Sequence, residues 1–144
     1  YKKFSKKQIR SILILSKFLI KKYKIKSQNI LGHSDIAPDR KKDPGEKFPW
    51  KYLSKKKIGL WHDIKNQTLI SNRELKIDSI SYSFFLDNLF KIGYPKKIPK
   101  NITQRRHQLF TIKAFQRRYR QDLVNGKADR ECLLISQNLI KYMC

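Results

Sequence analysis

Acidic residues are scarce in this chain. Only 11 Asp and Glu stand against 34 Lys and Arg among 144 residues, a formal net charge of +23. A charge of that size raises nucleic acid or an acidic surface as a partner. The pattern speaks against a specific nucleic-acid binder, because Lys2, Lys22, Lys56, Lys97 and Arg118 are scattered through every segment. The chain also lacks zinc-finger spacing, an RNA-binding aromatic signature and a glycine-rich phosphate loop. Cysteine is nearly absent, and Cys132 and Cys144 do not make a disulfide framework. Cys132 lies in an apolar helical stretch, where a buried free thiol is expected. No run of about 20 apolar residues occurs, so no transmembrane helix is expected. Histidine is confined to His33, His62 and His107, and residues 1–32 contain neither histidine nor glutamate.

What is present is enough for real cores. A hydrophobic content of 40%, with 12% aromatic residues, excludes a disordered chain, and the length allows one ordinary domain or two small ones. Between Ser5 and Tyr23, Ile9, Ile12, Leu13, Leu19, Ile20 and Tyr23 recur at helical spacing. Ile14, Leu15 and Phe18 broaden that stripe, which predicts a mostly buried helix. Asn29-Ile30-Leu31 reads as a short strand delivering Gly32-His33 to a sheet edge. Residues Lys65 to Ser79 are polar and show no sustained period, as a linker would. Beyond them, Phe84, Phe85, Leu86, Leu89 and Phe90 predict a helix ending at Gly93. Leu109, Ile112, Phe115 and Tyr119 predict a second, and Leu133, Leu134, Leu139 and Ile140 a third. Together they make a small three-helix bundle.

The chemistry concentrates in the segment from Gly32 to Pro44. A catalytic zinc takes about three protein ligands and leaves one position for water, whose pKa it lowers toward ~7. His33 and Asp43 can supply two such ligands. Pro38 restricts the chain between them, and Pro44-Gly45 turns it immediately after the carboxylate, so the two can fold back onto one ion. Lys41, two residues before Asp43, shares a face with it in an extended stretch and can stabilise an oxyanion. On these residues alone, a hydrogen-bonded surface His–Asp pair and an ordinary Asp-Pro-Gly turn stay open as readings.

The segment from Asn29 to Trp50, NILGHSDIAPDRKKDPGEKFPW, resembles the zinc-dependent N-acetylmuramoyl-L-alanine amidases, which cleave peptidoglycan or its turnover fragments. Lys57-Ile58-Gly59-Leu60-Trp61 is similar to a glycine-tryptophan stretch further along that family. The resemblance implies that His33 and Asp43 bind Zn2+ and that Lys41 assists catalysis. It also implies that aromatics such as Trp50 and Trp61 shape the substrate site, although as residues both read first as core. The family's other zinc histidine and its general-base glutamate lie well before this loop, and His62 and His107 match no family ligand. With Tyr1 opening straight into a helix, the chain is expected to be the C-terminal part of a longer amidase.

Residues Thr111 to Tyr119, followed by Asn125-Gly126 and Ala128-Asp129, resemble the peptidoglycan-binding domain appended to such enzymes. The resemblance therefore implies an α/β zinc amidase fold, a mixed sheet with helices that is incomplete at its N-terminus, over residues 1–64. A linker over 65–80 and an all-α peptidoglycan-binding-like bundle over 81–144 follow. The implied function is hydrolysis of the amide between N-acetylmuramic acid and L-alanine in a bacterial cell envelope, periplasmic or outer-membrane-associated, with a cytoplasmic setting left open. Peptidoglycan or muropeptides are the expected partners, with a separate N-terminal half as another. The alternatives are a non-catalytic peptidoglycan-binding remnant and a basic nucleic-acid binder.

Overall fold

In the computed structural model, residues 3–143 are described; expectations attached to Tyr1, Lys2 and Cys144 lie outside them. Ser5 starts the first helix, α1 (Lys6–Tyr23), through a reciprocal cap in which its hydroxyl accepts from the Gln8 N–H and the Gln8 side chain accepts from the Ser5 N–H. One side of α1, with Ile12, Leu13 and Ile20, packs with Phe4 against a small core of Phe48, Trp50, Leu53 and Ile58. The mostly buried helix expected here is not observed: no residue of α1 is buried. Ile14, Leu15 and Phe18 face solvent, because neighbours lie along one side only.

After a short 3-10 turn at Ser27–Asn29 come α2 (His33–Ile36) and α3 (Trp50–Ser54). The mixed sheet expected here is corrected by the structure: among the described residues there is no strand, and the elements are all helical. A strand needs a neighbour for its ladder hydrogen bonds, and the backbone groups of Ile30 and Gly32 are satisfied otherwise. The Ile30 N–H donates to the Ser27 carbonyl at 3.3 Å, the Ile30 carbonyl accepts from Arg118 Nη2 at 3.0 Å, and the Gly32 N–H donates to Asp35 Oδ2 at 2.8 Å. A three-residue apolar run carries too little periodicity to tell a paired strand from an extended connector.

The remaining helices are α4 (Asn66–Asn72), α5 (Ser79–Ile92), α6 (Gln104–Tyr119) and α7 (Arg130–Ile140). Asp78, Thr103 and Asp129 cap the N-termini of α5, α6 and α7 through side-chain oxygens. Gly93 ends α5 in the left-handed region at φ +113°, which a side chain would resist. These three helices share a core of Phe85, Leu89, Phe115, Ile135 and Leu139, in which the Cys132 thiol is buried and pushed up to about 12. The polar stretch 65–80 contains α4, which packs on α7 and buries Leu69 in the same core. Arg73 then reaches Glu131 with two hydrogen bonds of 2.7 and 2.8 Å. Trp61 touches both cores, joining the two regions. No helix of the described residues is long and apolar enough to cross a membrane.

Candidate functional site

Gly32 sets the loop's shape by its lack of a side chain. A Cβ there would stand 2.6 Å from Pro44 Cδ, so only glycine lets the start of α2 approach the turn after Asp43 this closely. The Ser34 N–H then donates to the Asp43 carbonyl at 3.0 Å, tying the two ends of the loop together. On top of that contact, His33 Nδ1 lies 2.5 Å from Asp43 Oδ2. An ionised carboxylate can only accept, so Nδ1 carries the hydrogen in this contact. Both side chains are open to solvent, 70% and 57% exposed. The His33 hydrogen bond, aided by the charges of His33 and Lys41, holds the Asp43 carboxyl below the usual carboxylate range. Lys41 is itself exposed, and its N–H closes a turn onto the Ala37 carbonyl at 2.9 Å.

Directly beneath is a second, buried arrangement that sequence reasoning missed. Asp35 receives the Tyr94 hydroxyl on Oδ1 at 2.8 Å, and the Gly32 N–H at 2.8 Å with Arg118 Nη1 at 2.5 Å on Oδ2. Arg118 is 2% exposed and lies 4.1 Å over the Trp50 ring, a cation-π contact inside the protein. Burial and the adjacent Asp35 carboxylate hold the Tyr94 phenol well above its ordinary value. Asp35 and Arg118 are 83 positions apart, and no local spacing links them. The one available signal was Asp35 itself, an acid two residues after His33.

Trp50 is buried with its ring against Gly32, Gly59 and Arg118, while Trp61 is half-buried, 5.7 Å from the Tyr119 ring. His62 is buried beside Trp61, and desolvation lowers its imidazole to about 4. His107 is buried on α6, with Nε2 2.9 Å from the Pro95 carbonyl oxygen. Neither joins His33 and Asp43: among the described residues no three His, Cys, Asp or Glu side chains are grouped so that they could hold a metal ion. The exposed imidazole and carboxylate have the donor chemistry of a zinc site and converge on one point. They could supply two of the about three protein donors a catalytic zinc takes.

The sequence profile of the N-acetylmuramoyl-L-alanine amidases matches residues 1–46. The chain is 36% identical over 138 residues to the N-acetylmuramoyl-L-alanine amidase AmiD of Escherichia coli K12, covering 96% of this chain and 49% of that protein. It is similar in structure to AmiD solved with the substrate anhydro-N-acetylmuramic acid-L-Ala-D-γ-Glu-L-Lys, with a TM-score of 0.82 over 97% of this chain and 53% of the other, at 36% identity. AmpDh3 of Pseudomonas aeruginosa matches with a TM-score of 0.79 at 29% identity, over 99% of this chain and 55% of the other. The chain thus spans about half the length of AmiD.

Proposed function

We propose that this AmiD-like chain carries part of the active site of a peptidoglycan amidase, which hydrolyses the amide between N-acetylmuramic acid and L-alanine. The observation that carries the reading is the solvent-open convergence of His33 and Asp43 at 2.5 Å, on the loop that the amidase profile matches. His33 and Asp43 would hold a zinc ion, with at least one further donor from outside the described residues. When bound, zinc supplies an activated water at neutral pH. The remaining steps belong to this chain's side chains. Asp43, kept ionised by His33 and Lys41, is ready as an anionic ligand. The Lys41 ammonium, exposed on the same loop, stabilises the negative charge that develops on the carbonyl oxygen during attack. Asp35, Arg118 and Tyr94 touch no substrate and fix the backbone from which His33 projects.

In this reading residues 81–144 form a helical domain that holds the polymer near the site and raises its effective concentration. The setting is a bacterial cell envelope.

The test is zinc content and muropeptide cleavage by mass spectrometry, on the 144-residue chain and on the complete product of its gene. Release of the L-Ala peptide is expected only where a third donor joins the pair, at about one zinc per active molecule. His33→Ala and Asp43→Ala should abolish zinc uptake. Lys41→Ala should keep zinc and lower kcat by about 10²–10³-fold, the usual cost of one oxyanion donor. Cleavage that survives all three substitutions would overturn the assignment.

A further inference from the structure

A cleft of about 390 Å³ lies between α3 and the segment from Gly59 to His62. None of its lining residues belongs to the loop 32–44, and the Trp50 ring stands between the two, with one edge against Gly32 and the opposite edge against Gly59. The charge of this cleft has one sign. Lys51, Lys55 and Lys57 line it and no acid does; none of the three has an acidic partner within ion-pair distance among the described residues. Lys51 and Lys55 are four positions apart and share a helix face. The next acid along the chain, Asp63, is taken up by Asn138 and Tyr142. Lys57 is held in a costly conformation, with φ +62° in the left-handed region that glycine takes freely and a residue with a Cβ does not. The Ser27 hydroxyl pins that turn by donating to the Lys57 carbonyl at 3.3 Å. Below the cations, polar atoms stand without partners. His62 is 7% exposed and neither of its ring nitrogens reaches hydrogen-bond geometry, although the Tyr119 backbone and the Lys51 charge both act on the ring. The Trp61 Nε1 is likewise buried without an acceptor.

We propose that this cleft is an anion site for a phosphate group, gripped by the Lys51, Lys55 and Lys57 ammonium groups above the Trp61 and His62 nitrogens. It stands apart from the amidase reading and does not depend on it. The charge count selects the ligand. A carboxylate would answer one of three unpaired cations, whereas a phosphate monoester carries about −1.5 to −2 at pH 7 and offers three strong acceptor oxygens. Lysine binds phosphate as a point charge, so three flexible ammonium groups can close on one tetrahedral ion without the planar fit that arginine needs. The floor supplies the second half of the site. A buried donor without an acceptor is unfavourable, and the Trp61 N–H is such a donor, as is the one ring nitrogen that carries hydrogen in neutral His62. A small turn of either ring brings its N–H to a phosphate oxygen. The left-handed Lys57 fits the same purpose, since strain held at one residue where glycine would be easier is a mark of a side chain in use. Free phosphate and a phosphorylated sugar present the same group.

The probe is inorganic phosphate, titrated into the 144-residue chain by calorimetry in about 150 mM NaCl, which screens the general surface charge. The indole N–H signals of the two tryptophans report the site by NMR. Phosphate should move the Trp61 signal more than that of Trp50. The triple variant Lys51→Gln/Lys55→Gln/Lys57→Gln should raise Kd at least about 10-fold, the scale of lost close charge pairs. Three exposed lysines outside the cleft, changed together as Lys7→Gln/Lys91→Gln/Lys100→Gln, should leave Kd within about 2-fold, which separates the site from the field of a +23 chain. Lys57→Gly guards against a folding artefact: glycine prefers that turn, so the melting temperature should hold or rise while Kd rises about 3-fold or more. His62→Phe keeps the ring and removes both nitrogens, and it should weaken phosphate without changing the response of the Lys7/Lys91/Lys100 set. Glucose 6-phosphate separates the sources: tighter binding than inorganic phosphate assigns a phosphorylated sugar, and equal or weaker binding assigns the free ion. No binding at millimolar phosphate, equal loss in the two triple variants, or acetate binding as tightly as phosphate would overturn the proposal.

Discussion

Two carboxylates on one loop live under opposite conditions. Asp43 sits in water with a single histidine partner, and Asp35 is buried with three donors, from Gly32, Tyr94 and Arg118. A buried charge is tolerated only when its lone pairs are met, and breaking such a set leaves an uncompensated ion in a medium that solvates it poorly. An exposed carboxylate has no such requirement, which leaves its remaining lone pairs open to a ligand. The comparison teaches a division of labour within a few residues: the dry acid fixes the backbone, and the wet acid above it stays available. Reactive groups are most precise when a rigid, satisfied layer lies under them.

The comparison breaks most visibly if the dry side is cut. Arg118→Met fills the space without the charge and strands Asp35, so unfolding in urea at pH 7 should show a loss of about 3–5 kcal/mol. Adding Asp35→Asn to that variant should recover a large part of the loss, because the unpaired charge goes with it. Arg118→Lys should fall between, since an ammonium cannot serve both Asp35 and the Ile30 carbonyl while stacking on Trp50. A cost below about 1 kcal/mol for Arg118→Met would mean that the buried pair does not fix the loop.

Acid should expose a second dry group with a smaller effect. His62 is 7% exposed, and burial lowers its imidazole to about 4. The unfolded chain therefore takes up this proton first as pH falls. Stability is unaffected by this group well above pH 6.5 and falls between about 6.5 and 4, the loss reaching about 2–3 kcal/mol by pH 4.5. Stability measured at pH 7.5 and 4.5 in wild type and His62→Leu should show that increment in the wild type only. An identical drop in both would assign the acid loss to other groups.

These groups also mark where sequence reasoning stops. Helices α5, α6 and α7 were legible because apolar residues recur at helical spacing within each, Phe85 with Leu89, Ile112 with Phe115 and Tyr119, and Leu133 with Ile140, and because Gly93 ends the first of them. The approach of His33 to Asp43 was legible because proline and glycine between and after them restrict how the loop can run. The strand at Asn29-Ile30-Leu31 was misread, since extension is local while pairing depends on a neighbour elsewhere in the chain. The outer face of α1 was misread for the same reason: Ile14, Leu15 and Phe18 share the apolar character of Leu13 and Ile20, and composition does not tell which side will meet a partner. The helix at Asn66–Asn72 escaped notice because its burial rests on Leu69 alone. Arg118 looked like one of many scattered cations, and only the fold brings it to Asp35.

The smallest effect is expected on the wet side, and its size is informative. Asp43→Asn keeps the shape of the side chain and an oxygen for the His33 ring to donate to, and removes only a charge that water already solvates. Exposed ion pairs contribute little and are screened by salt. The melting temperature should stay within about 2 °C of wild type at both low and 200 mM salt, while Arg118→Met melts far lower. A shift in Asp43→Asn as large as that of Arg118→Met would mean that the exposed pair also holds the loop and that the division between the two carboxylates is false. If the shift is small, zinc uptake and cleavage in Asp43 variants can be read as chemistry, since the fold beneath is intact. The same assays on Asp35 variants would mix chemistry with collapse of the loop.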